Sequence, residues 1–206
     1  MTAILKISDY IAAFPSLLPS LADALPWELT TNAIEHVRAL QASLPEADYL
    51  IRGDVAVHRS SEVEAGAIVK GPAIIGPGCF VGAGSLLRGG IWLEGDCIIG
   101  QGAELKSSFM LAGSKLAHFN FVGDSLIGRD VNLEAGSVVA NYRNERADKE
   151  IIVRIGKELV RTGCNKFGAV LGDGSRVGAN AVLAPGALLA AGGIVMRLSL
   201  LDQERD

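Results

Sequence analysis

From Ile51 the chain carries an aliphatic residue at every sixth position: Ile51, Val57, Val63, Val69, Ile75, Val81, Leu87, Leu93, Ile99, Leu105, Leu111 and Ala117. The residue after each is often glycine or another small or polar type, as at Gly76, Gly82 and Gly100. Four residues after each, the side chain tends to be small, as at Ala67, Ala73, Cys79, Ser85, Cys97 and Ala103. A fixed internal period defines an architecture before any single element does. Each hexad predicts one short strand and a tight corner, and three hexads close a triangular coil of 18 residues. The aliphatic seeds then point inward and stack on those one coil away at about 4.8 Å, while small residues let the corners turn. The fold class is all-β, a single-stranded left-handed parallel β-helix. Parallel crossovers are nearly always right-handed; the left hand is expected here because three hexads make a turn with no helix between strands.

The phase breaks once. After Ala117 the next aliphatic seed is Ile127, ten residues on, followed by Leu133 and Val139. Regularity stops at Asn141 and resumes at Leu171, Val177, Leu183, Leu189 and Val195. Loops held by a rigid scaffold are where function concentrates, so both interruptions matter. Residues 143 to 166 carry seven Arg or Lys against four Asp or Glu. Within them the run KEIIVRIGKELVRTG predicts a hairpin turning at Gly156-Lys157, an arm projecting from the helix and suited to anions or to solvent. Residues 1–50 differ in kind. Pro15, Pro19 and Pro26 allow only short helices; Thr30 or Thr31 is placed to cap a longer one through about residue 44, with Ile34, Val37, Leu40 and Leu44 on one face. Two units follow: a helical appendage, 1–50, packed on one end of the β-helix over its exposed edge, and the β-helix itself, 51–206.

Composition narrows the partners. The 206 residues are 49% hydrophobic but only 5% aromatic, with 25 glycines, which suits a narrow, regularly stacked core. A formal charge of −4 offers no basic field for nucleic acid. No apolar run approaches the roughly 18 residues a membrane span needs, and no secretion signal opens the chain. Cys79, Cys97 and Cys164 are too few for a disulfide framework, and a reducing cytoplasm is expected. Cys79 and Cys97, 18 apart, belong to one column, as corner fillers or as a redox pair.

Histidine is scarce. His36 falls in the expected helix and His58 in an early coil, both read as surface or structural residues. His118 follows Ala117, so its ring is expected to point outward beside the broken coil, a position suited to a general base at a subunit boundary.

The run AHFNFVGDSLIGRDVNLEAGSVVANYRN, residues 117 to 144, resembles the acetyltransferase domain of the bifunctional glucosamine-1-phosphate acetyltransferase/uridylyltransferases. It is closer to the C-terminal halves of archaeal-type sugar-1-phosphate nucleotidylyltransferases. That likeness extends through PWEL and GAIVKGPAIIGPGCFVGAGS upstream and TGCNKFGAVLGDGSRVGANAVLAPGA downstream, from about residue 25 to near 196. The resemblance implies a homotrimer with parallel axes and sites between neighbours. It implies His118 as the base on the sugar amine, Asn141 orienting the amine or sugar, and Tyr142 and Asn132 contacting the sugar. Ala135 matches a position whose backbone lies near the thioester. Acetyl-CoA is the implied co-substrate, and no metal is required. Arg143, Arg146, Lys149 or Lys166 are candidates for its phosphates. A thioester is already activated, so an amine can attack it directly, given a base and donors for the oxyanion.

Two departures qualify the match. Phe121 stands where the uridylyltransferase-linked enzymes have a tyrosine, and Lys149 is the nearest candidate for the lysines expected after the Asn-Tyr pair. Residues 1–50 hold no counterpart of the nucleotidylyltransferase's Gly-rich loop, so nucleotidyl transfer is expected to need a separate protein. The expected function in nucleotide-sugar metabolism is acetyl-CoA-dependent N-acetylation of an amino-sugar phosphate, glucosamine-1-phosphate-like, or a related amino sugar. The alternative is a non-catalytic trimeric β-helix, binding or scaffolding a separate nucleotidylyltransferase. The metal-dependent carbonic anhydrases on this fold need three histidine ligands between subunits; His36, outside the repeat, cannot supply the third.

Overall fold

A computed structural model describes residues 5–205, so residues 1–4 and 206, at the outer ends of the two expected units, lie outside it. Short parallel strands stack into a triangular prism, the left-handed β-helix that the six-residue period implies. One face is a sheet of seven rungs, from Glu62–Val63 through Phe80–Val81, Ile98–Ile99, Lys115–Leu116, Asn132–Leu133 and Arg176–Val177 to Ile194–Val195. The other two faces share strands that bend around a corner, Leu86–Leu93 and Glu104–Met110. Inside the prism lies one aliphatic stack with Val81, Leu87, Leu93, Ile99 and Leu105 wholly buried.

The phase differs from the expected one after Leu105. The inward residues are Met110, Leu116, Val122 and Ile127, all fully buried in the prism core. Leu111 is buried too, but on the outside, beneath the helices, and Ala117 is a half-buried corner residue. Register accounts for the shift. Glu62 pairs with Phe80 and Phe80 with Ile98, 18 apart, whereas Ile98 pairs with Lys115 and Lys115 with Asn132, 17 apart. Two coils are thus one residue short. The contractions fall at the same corner, where Ser107 and Asp124 take left-handed backbone conformations (φ +46° and +48°). The single ten-residue break read after Ala117 is really these two separate losses.

The N-terminal helices α1 (Phe14–Leu17), α2 (Pro26–Thr31) and α3 (Ala33–Gln41) do not sit on the end of the prism. They lie along one side, because that face carries outward apolar rungs: Ile74, Phe109, Leu126, Val170 and Leu188 pack with Phe14, Trp27, Leu29 and Val37. The N-cap of α3 is Asn32, since Thr30 and Thr31 are already helical in α2, and Ala33 and Val37 are its buried residues while Ile34 is exposed. Gly90 (φ +90°) is required here, as a Cβ on it would lie 2.5 Å from the backbone of Ala33. The first coil's edge is covered instead by β1 (Tyr49–Arg52), antiparallel to β2 (Val55–His58). Ile51 therefore belongs to β1, outside the repeat, and is exposed.

The hairpin forms as read, Ile152–Ile155 against Glu158–Arg161 with Gly156 at the turn. It does not project. Ile151 and Val153 are fully buried in the same outer apolar cluster as the helices, so the arm folds back on its own prism. Cys79 and Cys97 are stacked, buried and free, on adjacent coils. Among the described residues no helix is long and apolar enough to cross a membrane.

Candidate active site

The contracted corner carries an unusual column of side chains. Arg88, Lys106 and Asp124 follow one another at intervals of 18 residues, and Arg88 pairs directly with Lys106 across adjacent strands. Asp124 is 5% exposed and turns its carboxylate toward Lys106, whose Nζ lies 2.7 and 2.8 Å from the two oxygens. Asn141 donates its Nδ2 to the same carboxylate. Arg88 is paired with Glu104 at 2.6 Å. Gly123 makes room for this cluster: a Cβ there would strike the Asn141 amide and crowd Cζ of Phe121.

Above the cluster opens a cleft of about 420 Å³ lined by Arg88, Lys106, Phe121, Asn141, Tyr142 and Lys166. Its three cations outnumber the two partner carboxylates, so the site favours an anionic ligand. Lys149 stands at its margin, 5.2 Å from the centre of the Tyr142 ring and donating to the Asn144 carbonyl at 2.8 Å. The insertion delivers Lys149 and Lys166, while Arg88, Lys106 and Phe121 stand on prism strands. Its return strand is pinned where Phe167 N–H donates to the Asn141 carbonyl at 3.1 Å, and Phe167 packs edge-on against Trp27 of α2.

The sequence-derived candidates divide into three groups. Phe121, Asn141, Tyr142 and Lys166 meet in the cleft, with Lys149 beside it. His118 stands exposed three residues before Phe121, on the corner joining the cleft's face to the seven-rung face. Leu116, not Ala117, is the inward residue before it. The His118 carbonyl accepts from Gly136 N–H at 2.9 Å, which places Ala135 one coil below, and Asn132 is exposed on the seven-rung face. Within one chain these three do not line the cleft. Arg143 and Arg146 form the third group and are not free for coenzyme A. Arg143 is buried against Asp202 and Glu204, and the half-buried Arg146 pairs with Glu204. His58 is structural, bonded to Ser60 at 2.8 Å and edge-on to Tyr49.

Arg88, Lys106 and Asp124 were missed from sequence. Their 18-residue spacing was the available signal, one coil from Arg88 to Lys106 and one residue more than a coil from Lys106 to Asp124. The family pattern described as the hexapeptide repeat of succinyl-transferase matches residues 72–105 and 153–185. Those two stretches, about a third of the chain, carry the six-residue repeat that the rungs of the prism display. The chain's relatives include a bifunctional sugar-1-phosphate nucleotidylyltransferase/acetyltransferase of Sulfurisphaera tokodaii, 38% identical over 40% of this chain and 20% of that protein. The bifunctional protein GlmU of Methanococcus vannielii is 32% identical over 46% of this chain and 22% of its own length. The chain thus spans about a fifth of these relatives, and the aligned stretch is shorter than the 25-to-196 span read from motifs. Among solved structures, the acetyltransferase domain of PglB from Neisseria gonorrhoeae, in complex with acetyl coenzyme A, aligns at TM-score 0.44. Its identity is 12%, over 82% of this chain and 62% of that one. A likeness this loose does not place a ligand.

Proposed function

We propose that this repeat protein is an N-acetyltransferase moving an acetyl group from acetyl coenzyme A to the amine of an amino-sugar phosphate. The cleft carries the reading: an amide, an exposed aromatic hydroxyl and three cations converge on one pocket of sugar-phosphate size. Arg88, Lys106 and Lys166 hold the phosphate, while Asn141 and Tyr142 address the sugar. The amine attacks the thioester carbonyl directly; the C–N bond forms and the C–S bond breaks. His118 takes the amine proton and passes it to the departing thiolate, so coenzyme A leaves as the thiol. Because His118 stands at the corner rather than in its own cleft, the site is read as shared between copies of a three-fold trimer, with Asn132 and Ala135 on the same side as His118. Lys149 remains for the phosphates of coenzyme A, now that Arg143 and Arg146 are occupied.

Kinship with enzymes named for both nucleotidyl and acetyl transfer supports the acceptor class. Phe121 supports the second reading, a binding or scaffolding trimer serving a separate nucleotidylyltransferase, because the cleft wall lacks a hydroxyl there. Thiol release from acetyl coenzyme A, assayed against a panel of amino-sugar 1-phosphates and their unphosphorylated sugars, decides between them. The enzyme reading expects turnover that prefers the phosphates. Phosphate esters that bind without any thiol release would favour the scaffold.

A further inference from the structure

Arg143 follows Asn141 and Tyr142 directly, yet its side chain leaves the cleft and is buried, 4% exposed. Its Nη1 donates to Asp202 at 2.9 Å, and its Nη2 to Asp202 at 2.7 Å and to the Pro185 carbonyl at 3.2 Å. Glu204 lies 3.1 Å away and also pairs with Arg146. On the hairpin, Arg154 donates to the carbonyls of Gln203 and Glu204. Gln203 is itself fastened to the last coil, accepting from Leu188 N–H at 2.7 Å and donating to the Leu188 carbonyl at 3.0 Å. A run of three residues, Asp202 to Glu204, thus grips three arginines of the insertion while anchored to the prism.

A guanidinium stays buried only while carboxylates face it, since taking a lone charge out of water is prohibitive. The position of Arg143 therefore depends on Asp202, 59 residues away in sequence. Of the two residues ahead of it, Asn141 is held by Asp124 and Phe167, and the Tyr142 ring lies 5.2 Å from the Lys149 ammonium.

We propose that Asp202 and Glu204 are positioning residues, which through Arg143 and Arg146 fix the Asn141-Tyr142 edge of the cleft and so set affinity for the acceptor. This rests on reading the cleft as the acceptor site. A small misplacement of a positioning group can cost as much as about a hundredfold. Asp202→Asn should therefore raise the KM for glucosamine 1-phosphate by about ten- to a hundredfold. Turnover and the KM for acetyl coenzyme A should stay within about twofold, and Asp202→Glu should recover part of the loss. Hydrogen exchange followed by mass spectrometry provides a readout that needs no substrate. Amides of residues 141 to 146 should exchange about tenfold or more faster in Asp202→Asn, while the rungs at 80–81, 98–99 and 115–116 keep the parent's protection. Glu204→Gln, which leaves the Asp202 pair intact, should show the same pattern more weakly and serves if the first variant misfolds. Unchanged exchange at 141 to 146 in both variants would overturn the proposal. So would a loosened loop with unaltered acceptor KM. If the parent turns over no amino sugar, the reading of the cleft fails instead, and the exchange data alone judge whether the grip orders the loop.

Discussion

Replacing Asp124 tests the cluster beneath the cleft. Its carboxylate receives Lys106 and Asn141 together and is only 5% exposed, while the Lys106 side chain is 16% exposed. Asp124→Asn keeps the shape and, like Asp, tolerates the left-handed backbone at φ +48°. What it removes is charge. Losing hydrogen bonds to a charged group costs about 2 kcal/mol. That sits below the roughly 3–5 kcal/mol for orphaning a fully buried partner, because Lys106 retains some solvent. For a chain of this size, about 2 kcal/mol lowers Tm by roughly 4–8 °C. Asp124→Ala should fall further, since a residue without a local hydrogen bond costs roughly 1–2 kcal/mol more in that conformation. Calorimetry on both variants, with Lys106→Met and the Lys106→Met/Asp124→Asn double, closes a thermodynamic cycle. We expect a coupling of about 1–2 kcal/mol between the two positions. A coupling below about 0.3 kcal/mol, or equal stability of the Asn and Ala variants, would refute the assigned ion pair or the backbone argument respectively.

Three further outcomes follow from the same structure. His118→Ala should lower turnover by about 10²- to 10⁴-fold in the thiol-release assay while leaving Tm unchanged, because Leu116 and not its neighbour Ala117 supplies the core contact; near-normal turnover would make the residue structural. Phe121→Tyr places a hydroxyl beside the Asn141 amide and should improve acceptor kcat/KM by about two- to tenfold, the worth of one net hydrogen bond; a worse acceptor KM would show that the ring edge needs to be apolar. The Arg143 guanidinium holds the Asp202 carboxyl below its usual range, against the opposing effect of burial. A carboxylate depressed in the folded state contributes stability above its unfolded pKa of about 3.9, and loses it as pH falls through the lower folded value. The Tm difference between the parent and Asp202→Asn should therefore be constant above about pH 5 and shrink below about pH 4; a gap that widens in acid would contradict this.

The architecture was legible because one inward residue per rung suffices to announce it. Val81, Leu87, Leu93, Ile99 and Leu105 occupy their expected places, and the hairpin turned where Gly156 allowed it. The side on which the appendage packs was written in Ile74, Phe109, Leu126, Val170 and Leu188, apolar residues immediately before the inward ones. They went unread because the count followed a single column. The fate of Arg143 and Arg146 was not legible at all. Local sequence shows a basic loop, and only the tertiary return of Asp202 and Glu204 shows that its charges are already matched.

The two shortened coils distinguish the cleft from the rest of the prism. Leu111 and Ala117 are aliphatic by coincidence at sixth positions, which hid the loss of one residue at Ser107 and another at Asp124. In the coil before, the corresponding corner is made by Gly89 and Gly90, both left-handed and the latter required by α3. In the next two coils, non-glycine residues take the left-handed conformation instead, at roughly 1–2 kcal/mol each unless a local hydrogen bond offsets it. Asp96, Phe119, Asp130, Asn180 and Leu198 take the same conformation at other corners, so what sets Ser107 and Asp124 apart is that each also shortens its coil, beside the Lys106–Asp124–Asn141 cluster. The contraction also has a geometric effect. With 17 residues per turn, Lys106 stands opposite Gly123, so the next residue, Asp124, can bend back over the lysine from the corner. An 18-residue coil would have set residue 124 itself on that rung. The interruption in the repeat and the cleft are thus one feature, and a shift of the inward column from Leu105 to Met110 marks where the chemistry is to be sought.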